Sequence, residues 1–354
     1  MTKILILQNE ISAYSVVTYN YIADKFDLTV AYFEKDKSKI DCKFSKIKLR
    51  SKCVGPFVFV KGVRKLARQF DVVTFLPNLR VFNYWILPFL PHTFKLINWS
   101  IGFRVSYTHP YVTNRKHTFA DWLFMKILNS SDASIFYMDK SKEFWKNSSL
   151  DMSKVFVAPN TTNVIDSFFD ENIKRNILFV GSLYKGKGID LLINSFKKAI
   201  DKTNSNIKLI IVGDGEMRSE IETQISSCGL NHQVLLTGGI YDEKELVKHF
   251  ESSLLCVSPT QGGLSVPKSM GYGVPFATRK DAITGGEIYH IHNGIDGILY
   301  DKDEELSDLL VDVIRHPKKY IEMGLKAKFY YEGHATPFHM AEGAIKAISY
   351  SLNS

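Results

Sequence analysis

Glycine and lysine residues crowd one short loop, residues 181–188 (GSLYKGKG), which joins an apolar run to an amphipathic stretch. Glycines let backbone N–H groups approach an anion closely, and a helix that starts behind them adds a favourable dipole. Lys185 and Lys187 add two positive charges to the same loop. The pattern indicates a phosphate or diphosphate site, although an ordinary tight turn has a similar composition and the spacing differs from that of a P-loop.

Three more loops with glycines follow later apolar runs, at residues 213–216, 238–241 and 260–265. Each of them could be a tight turn if it stood alone. Loops that follow the strands of one parallel sheet lie at the same edge, so the four loops together predict a ligand-binding crevice. Ser265 and Pro267 are typical of the N-cap and first turn of a helix, which would direct N–H groups near residue 263 into that crevice.

The elements that position these loops follow from the apolar periodicity of the chain. Short apolar runs alternate with amphipathic stretches, which predicts the α/β class with parallel sheets covered by helices on both faces. Strands are predicted at residues 3–8, 28–32, 72–75, 95–99, 133–137, 155–158, 176–180, 207–212, 234–236, 254–257 and 275–277. Helices are predicted at residues 12–25, 189–200, 217–227, 243–252 and 336–352.

A polar, turn-rich segment at residues 159–175 separates two such series of strands and helices. The length of 354 residues fits two domains of roughly 150 to 180 residues each. We therefore predict a first domain at residues 1–165 that the terminal helix at 336–354 completes, and a second domain at residues 173–332.

Composition excludes several other classes of protein. A hydrophobic content of 45% with a mean hydropathy of −0.08 is typical of a globular chain rather than a disordered one. No run approaches the ~20 apolar residues that a spanning helix needs, and the first residues lack the pattern of a signal peptide, so we expect a cytoplasmic protein. The four cysteines are scattered without paired spacing, which argues against a zinc site or a disulfide framework.

Basic residues concentrate at 35–68 in a chain of net charge +8. Such a region attracts anionic lipid headgroups at about 1 kcal/mol per basic residue, and it would also attract nucleic acid or a phosphorylated substrate. A solvated basic face is the alternative. Val58, Val63, Leu66 and Phe70 lie among these charges in the pattern of a short basic amphipathic helix, which favours an anionic membrane surface over nucleic acid. We expect peripheral attachment to the inner face of the plasma membrane.

The second half of the chain resembles the GT-B glycosyltransferases of the "glycosyl transferases group 1" type, also called family 4. The resemblance covers residues 177–301 well and the rest weakly, and it rests on the order of FVGSLYKGKGIDLLINSF, LIIVGDGEM, VLLTGGI, LLCVSPTQGGLSVPKSMGYGVPFAT and GGEIYHIHNGIDGILY. It implies two doubly wound, Rossmann-like domains that face each other across a cleft. The second domain would bind a UDP- or GDP-sugar, and the first would bind a saccharide acceptor. The implied reaction is a retaining hexosyl transfer that requires no metal or other cofactor.

By position in this resemblance, Lys187 would hold the donor diphosphate and neutralise the leaving group. The residues assigned to the donor are Gly181, Ser182, Lys185, Lys187, Gly213, Asp214, Gly238, Ile240, Tyr241, Gly262, Gly263, Leu264, Ser265 and Lys268. Asn9, Glu10 and Tyr14 follow the first strand, where the resemblance implies acceptor contacts. Glu10 is the one carboxylate placed there, as a base or an orienting group, and a surface position without function is the alternative.

Several positions depart from the family pattern. Ser182 replaces a frequent arginine, and Thr260 and Lys268 replace two glutamates that contact the donor. Ile101 stands where an acceptor-side histidine is expected; His109 is the nearest substitute, and it could equally be an ordinary loop residue. These losses leave open a nucleotide-sugar-binding partner protein without catalysis. A GT-B sugar-nucleotide epimerase is disfavoured, because it would need acid and base groups that are scarce here. The leading hypothesis is sugar transfer to a lipid-linked acceptor, such as a polyprenyl diphosphate saccharide, in surface polysaccharide synthesis.

Overall fold

The computed structural model describes residues 1–104, 116–168 and 170–354. These residues divide into two compact units. The first unit contains residues 1–104, 116–161 and 336–354, and the second contains residues 162–168 and 170–335. Each unit has its own parallel sheet with helices packed against it, and each has its own hydrophobic core.

The first unit is built on a seven-stranded parallel sheet in the order β3-β2-β1-β6-β7-β8-β9. Its strands are β1 (Lys3–Leu7), β2 (Asp27–Tyr32), β3 (Ser45–Lys48), β4 (Ser51–Val54), β5 (Phe57–Val60), β6 (Val72–Phe75), β7 (Lys95–Ser100), β8 (Ala133–Phe136) and β9 (Val155–Val157). Its helices, in the same part of the chain, are α1 (Ser15–Ala23), α2 (Val63–Ala67), α3 (Phe82–Trp85), α4 (Phe119–Asn129) and α5 (Ser141–Trp145). Strands β4 and β5 form a separate antiparallel hairpin.

The second unit is built on a six-stranded parallel sheet in the order β12-β11-β10-β13-β15-β17. Its strands are β10 (Asn176–Val180), β11 (Lys208–Val212), β12 (Val234–Gly238), β13 (Ser253–Val257), β14 (Gln261–Gly262), β15 (Phe276–Arg279), β16 (Ile283–Thr284) and β17 (Gly297–Tyr300). Its helices are α6 (Ile189–Thr203), α7 (Arg218–Ser227), α8 (Glu243–Glu251), α9 (Ser265–Gly271), α10 (Glu305–Arg315) and α11 (Pro317–His334). Strands β14 and β16 pair beside the main sheet.

Strand order places a topological switch point in the second sheet between β10 and β13, because β11 continues the sheet on the other side of β10. Ligands of open parallel sheets bind outside the carboxyl ends of the strands at such a point. The loops that follow β10 and β13 therefore lie where a sheet of this kind binds its ligand. In the first sheet the corresponding point lies between β1 and β6.

The last helix, α12 (Pro337–Asn353), packs in the first unit. Thr336 caps it by accepting a hydrogen bond from the backbone N–H of His339. Ala344, Ala347 and Ile348 are buried in the core that also contains β1 and α1. A Cβ on Gly343 would lie 2.1 Å from the carbonyl oxygen of Val157, so only glycine lets the helix approach β9 this closely.

The two parallel sheets confirm the predicted α/β class, and every predicted strand coincides with an observed one apart from its end residues. The basic amphipathic helix is only partly correct. Val58 lies in strand β5 and not in a helix. Helix α2 has only five residues, and it begins directly after Gly62, which has a φ of 84°. No helix among the described residues is long and apolar enough to cross a membrane.

Candidate functional site

The loop after β10 is held in a single turn of 3-10 helix at Lys185–Lys187 that ends at Gly188. Gly188 has a φ of 64°, a conformation that favours glycine. A Cβ at this position would also lie 2.9 Å from Cγ2 of Thr260 and 3.3 Å from Cβ of Pro259. This glycine therefore allows the first loop to pack directly on the loop that follows β13.

Polar contacts join the same two loops. Thr260 Oγ1 donates a hydrogen bond of 2.7 Å to the carbonyl oxygen of Gly186. The hydroxyl of Tyr184 donates to the amide oxygen of Gln261 in a very short contact. The two loops at the switch point between β10 and β13 are thus held together by packing and by hydrogen bonds.

The loop after β11 supports the first loop from the other side. A Cβ on Gly213 would lie 1.9 Å from the carbonyl oxygen of Gly181, and the backbone N–H of Leu183 donates to the carbonyl oxygen of Asp214 at 3.0 Å. The N–H of Gly213 donates in turn to the carbonyl oxygen of Gly238 at 2.9 Å, and Gly238 has a φ of 80°. The N–H of Gly213 is thus hydrogen-bonded within the protein, and the carbonyl oxygen of Gly181 occupies the place of a side chain. Gly213 therefore allows three loops to pack together.

Lys187 places its ammonium group at the centre of this arrangement. Its Nζ lies 3.7 Å from the position of a Cβ on Gly181 and 5.7 Å from the ring centre of Tyr184. Burial lowers the pKa of Lys187, and the nearby carboxylate of Glu287 acts in the opposite direction. A half-buried cation of this kind binds an anion more strongly than an exposed lysine does, because less water competes. Ser182 and Lys185 of the same loop are exposed.

Glu287 is the residue that sequence reasoning missed. It is 4% exposed and accepts hydrogen bonds from Thr284 Oγ1 at 3.0 Å and from the N–H of Gly285 at 2.8 Å. Its charge acts on Lys187, which lies a hundred positions earlier in the chain. The one local signal was a carboxylate directly after two glycines, and that signal does not reveal the partner.

The loop after β13 offers backbone donors. The N–H groups of Gly263, Leu264 and Ser265 have no acceptor within the described ranges, and a Cβ on Gly263 would contact nothing within 4 Å. Gly262 is different, because a Cβ there would lie 2.3 Å from Cγ2 of Ile288. The predicted N-cap at Ser265 is wrong. Leu264 occupies the cap position with helical dihedral angles, so Ser265 is the first helical residue and its side chain caps nothing.

Lys268 lies on α9 but its ammonium is already engaged. It forms an ion pair with Glu243 at 2.7 Å, and the hydroxyl of Tyr272 donates to the same carboxylate. Burial and this hydrogen bond raise the pKa of Tyr272. The pair uses the charge of Lys268 within the protein, so we expect less from it as a donor contact than its position suggested.

Beyond β12, the predicted base-binding residues differ in exposure. Ile240 packs against the core of the second unit, whereas Tyr241 is 80% exposed and its ring lies 3.1 Å from the position of a Cβ on Gly239. An exposed aromatic ring beside a glycine can stack on a flat group such as a nucleobase. A cavity of about 640 Å³ near Lys185 is lined by Asp190, Glu216 and Glu220, whose charges disfavour a diphosphate.

In the first unit, a small cavity of about 40 Å³ lies at the carboxyl ends of the strands. The residues that line it include Gln8, Glu10, Tyr14, Trp99, Tyr137 and Asn160. Glu10 accepts hydrogen bonds from Lys37 Nζ at 2.9 Å and from Ser12 Oγ at 3.2 Å. Trp99 is buried, and its indole N–H has no acceptor in the part of the chain that the structure describes. A buried donor without an acceptor lowers the stability of a protein, so a bound water or a ligand oxygen would be a favourable acceptor for this N–H.

Two further predicted positions follow β7 in the sequence. His109 lies outside the described residues. Ile101 follows β7, and its carbonyl oxygen accepts a short hydrogen bond from Ser141 Oγ. Gly102 next to it has a φ of 106°, and its carbonyl oxygen accepts from the indole of Trp145 at 2.7 Å. Two side chains thus donate hydrogen bonds to this turn, and Ile101 and Gly102 themselves carry no titratable group.

Known proteins resemble this chain in sequence and in fold. Residues 164–329 match the model of the family described as glycosyl transferases group 1. An uncharacterized glycosyltransferase of Methanocaldococcus jannaschii, MJ1607, is 31% identical over 145 residues. That alignment covers 38% of this chain and 36% of the relative, so the chain spans about a third of that relative's length.

Two solved structures show the same fold over nearly the whole chain. HepE of Anabaena in complex with UDP is 15% identical, with a TM-score of 0.70, and the alignment covers 98% of this chain and 100% of that one. A mutant of TarM from S. aureus, in complex with fondaparinux, α-GlcNAc-glycerol and UDP, is 12% identical with a TM-score of 0.70 and coverage of 98% and 99%. The predicted GT-B resemblance is confirmed by these matches.

Proposed function

We propose that this chain, whose residues 164–329 match the group 1 glycosyl transferases, transfers a sugar from a nucleotide diphosphate to a saccharide acceptor. The observation that carries the proposal is the half-buried Lys187, with its lowered pKa, at the switch point between β10 and β13. Open backbone N–H groups at Gly263 to Ser265 belong to the neighbouring loop. A cation and several N–H donors suit a diphosphate.

The donor that we propose is a UDP-sugar, with a GDP-sugar as the alternative. HepE and TarM, which share the fold, were both solved with UDP. The diphosphate would contact Lys187 and the N–H groups of Gly263, Leu264 and Ser265. The base would lie near Gly238 and the exposed Tyr241, which follow the adjacent strand β12.

The chemistry follows from the charge that develops on the leaving group. As the bond between the sugar C1 and the diphosphate oxygen breaks, negative charge builds on that oxygen. Lys187 and the N–H donors would stabilise it, and preorganised groups of this kind typically lower a barrier by a few kcal/mol. The carboxylate of Glu287 would keep the ammonium in position. We propose a retaining hexosyl transfer without a required metal, in which Lys187 supplies the positive charge at the leaving group.

The acceptor in this proposal binds the first domain. The new bond forms between C1 and an acceptor hydroxyl oxygen, whose proton must leave, and Glu10 is the carboxylate available on that side. Its hydrogen bonds with Lys37 and Ser12 fit an orienting group better than a free base. The indole N–H of Trp99, which has no acceptor among the described residues, would donate a hydrogen bond to an oxygen of the saccharide. A lipid-linked saccharide, such as a polyprenyl diphosphate derivative in surface polysaccharide synthesis, would place the basic region 35–68 at the inner face of the plasma membrane.

A thermal-shift series with UDP, GDP, ADP and their sugar conjugates tests the donor site. Binding to the native state raises stability by about 2.7 kcal/mol at a hundredfold excess over the dissociation constant. We expect a shift that depends on the base, that Lys187→Ala abolishes and that a chelator leaves unchanged. Lys198→Ala is the matched control, because this lysine is exposed on α6 beyond the loop.

The outcomes separate the candidate functions. A shift with hydrolysis or transfer of the sugar supports the transferase. A shift without turnover on any acceptor supports the nucleotide-sugar-binding partner protein. The absence of a shift with every nucleotide contradicts the donor site itself.

A further inference from the structure

The hairpin of β4 and β5 stands apart from the seven-stranded sheet and has two different faces. Its register pairs Lys52 with Phe59 and Val54 with Phe57. Paired residues of an antiparallel hairpin share a face, and so do residues two apart along a strand. These four side chains therefore lie together on one face.

The face that carries Val54, Phe57 and Phe59 is open to solvent. Val54 is 55% exposed, Phe57 is 44% exposed and Phe59 is 38% exposed, whereas Val60 on the other face is 1% exposed. The ring of Phe59 lies 5.4 Å from the ring of Phe82, so the apolar surface continues onto α3. Single exposed apolar side chains are ordinary, but a group of them on one hairpin indicates a binding surface.

Basic residues border this apolar face. Arg50, Lys52, Lys61 and Arg80 are all exposed. The N–H of Lys61 donates to the carbonyl oxygen of Arg50 at 2.8 Å, and Arg80 Nε donates to the carbonyl oxygen of Pro56 at 3.1 Å, so these residues are tied to the two ends of the hairpin. The sequence from residue 42 to residue 120 contains fourteen lysines and arginines and a single acidic residue, Asp71.

We infer that this hairpin docks on an anionic lipid bilayer, with Val54, Phe57 and Phe59 entering the boundary between headgroups and acyl chains. The basic residues around them would contact lipid phosphates. An apolar centre with a cationic border is the pattern of interfacial membrane binding, because both the hydrophobic effect and headgroup attraction act in the same direction. A nucleic acid would bind the basic residues but would not bury the apolar side chain of Val54. A lipid bilayer can do both, so it is the better fit.

A docking hairpin extends the proposed function, since it gives a physical means of reaching a lipid-linked acceptor. Its test needs neither nucleotide nor acceptor. Loss of vesicle binding and loss of donor binding are therefore separate results, and either can fail while the other holds.

The experiment is co-sedimentation of the full chain with vesicles of phosphatidylcholine, with and without phosphatidylglycerol. We expect binding only when phosphatidylglycerol is present, and we expect added salt to weaken it. The double variant Phe57→Ser with Phe59→Ser should reduce the partition coefficient at least tenfold. The charge variant Lys52→Glu should reduce it more than fivefold, since one basic residue contributes about 1 kcal/mol and the reversal also adds repulsion.

Phe329→Ser is the matched control, because Phe329 is 80% exposed in the second unit. It should bind vesicles as the unchanged protein does. If the serine double variant fails to fold, Lys52→Glu still decides, because this residue is exposed and its side chain is not needed in the core.

Insertion can be separated from surface attraction by tryptophan fluorescence. Phe57→Trp should gain a signal, above the background of the native tryptophans, that brominated lipid quenches, whereas Phe329→Trp should not. Three results would overturn the inference: equal binding to both kinds of vesicle, vesicle binding that the hairpin variants leave intact, or self-association in solution that the double variant abolishes without any vesicle binding. The last result would assign the face to a second copy of the chain.

Discussion

Thr260 and Gly186 fix the distance between two loops of the second unit, since the threonine hydroxyl donates a hydrogen bond of 2.7 Å to the glycine carbonyl oxygen. The bond connects the loop after β13 with the loop after β10, and both of its partners belong to the protein. The candidate donor site is therefore preorganised, and the contacts between its loops should contribute to affinity.

Thr260→Val should weaken UDP binding severalfold, because the loop that carries Lys187 loses this restraint. The free energy of unfolding should fall by about 1 kcal/mol, the usual value for one hydrogen bond. Isothermal titration with UDP and urea denaturation measure the two effects. Thr223→Val is the control, since Thr223 Oγ1 donates to a carbonyl oxygen within α7. Equal affinity in both variants would show that the contact does not serve the donor site.

Gly263→Ala should leave the fold intact and reduce UDP affinity about tenfold or more. A Cβ at Gly263 meets no protein atom within 4 Å, so the added methyl group would occupy only the space in which a diphosphate approaches the N–H groups. Gly333→Ala on α11 has equally open surroundings and should raise stability by up to ~1 kcal/mol without touching the site. Unchanged affinity for UDP in Gly263→Ala would remove this loop from the donor site.

UDP affinity should fall with rising pH, and it should begin to fall at a lower pH than it would with an ordinary lysine. Burial holds the pKa of Lys187 below its usual 10.5, so the ammonium loses its proton, and with it the attraction for the diphosphate, at a lower pH. Below that pKa the charge is present and affinity is at its plateau. Titration calorimetry across this range measures the profile. Lys187→Arg should keep affinity constant to higher pH, because a guanidinium stays charged; parallel profiles would mean that another group titrates.

Lys268→Met should lower stability more than it lowers donor affinity. The change removes the ion pair with Glu243, in which Lys268 is 16% exposed, and leaves a partly buried carboxylate without its cation, although the Tyr272 hydroxyl still donates to it. We expect a loss of about 1 kcal/mol or more in the free energy of unfolding, with UDP affinity changed less than threefold. The double change with Glu243→Gln should recover part of the stability. A loss of UDP binding at unchanged stability would return Lys268 to the donor contacts.

The sequence predicted the sheet strands well because they are buried on both faces. Runs such as residues 177–180 and 208–212 have no competing interpretation, and glycine loops between them and the following helices mark the site. The hairpin was missed because lysines and arginines spaced among apolar residues also fit a helix. The alternation of Phe57 and Phe59 with inward-facing residues can be recognised only when the partner strand is known.

The site itself was predicted less completely than the fold. Lys187 could be chosen from its loop, but Glu287 could not, since its effect on Lys187 depends on a contact across a hundred residues of chain. Gly213 was predicted to bind a ligand. The structure gives another reason for a glycine there, because a side chain would collide with the carbonyl oxygen of Gly181. Local patterns show that glycine is required at a position, and they do not show which neighbour requires it.

The return of α12 to the first unit gives the chain the topology of an inserted domain. Both ends of the described chain pack in one unit, and residues 162–335 leave it and come back. The core around α1 is thus closed by residues far apart in the chain, and ordering so long a loop carries an entropic cost that grows only slowly with its length. A truncation before Thr336 would therefore open the core that contains β1, at the opposite end of the sequence.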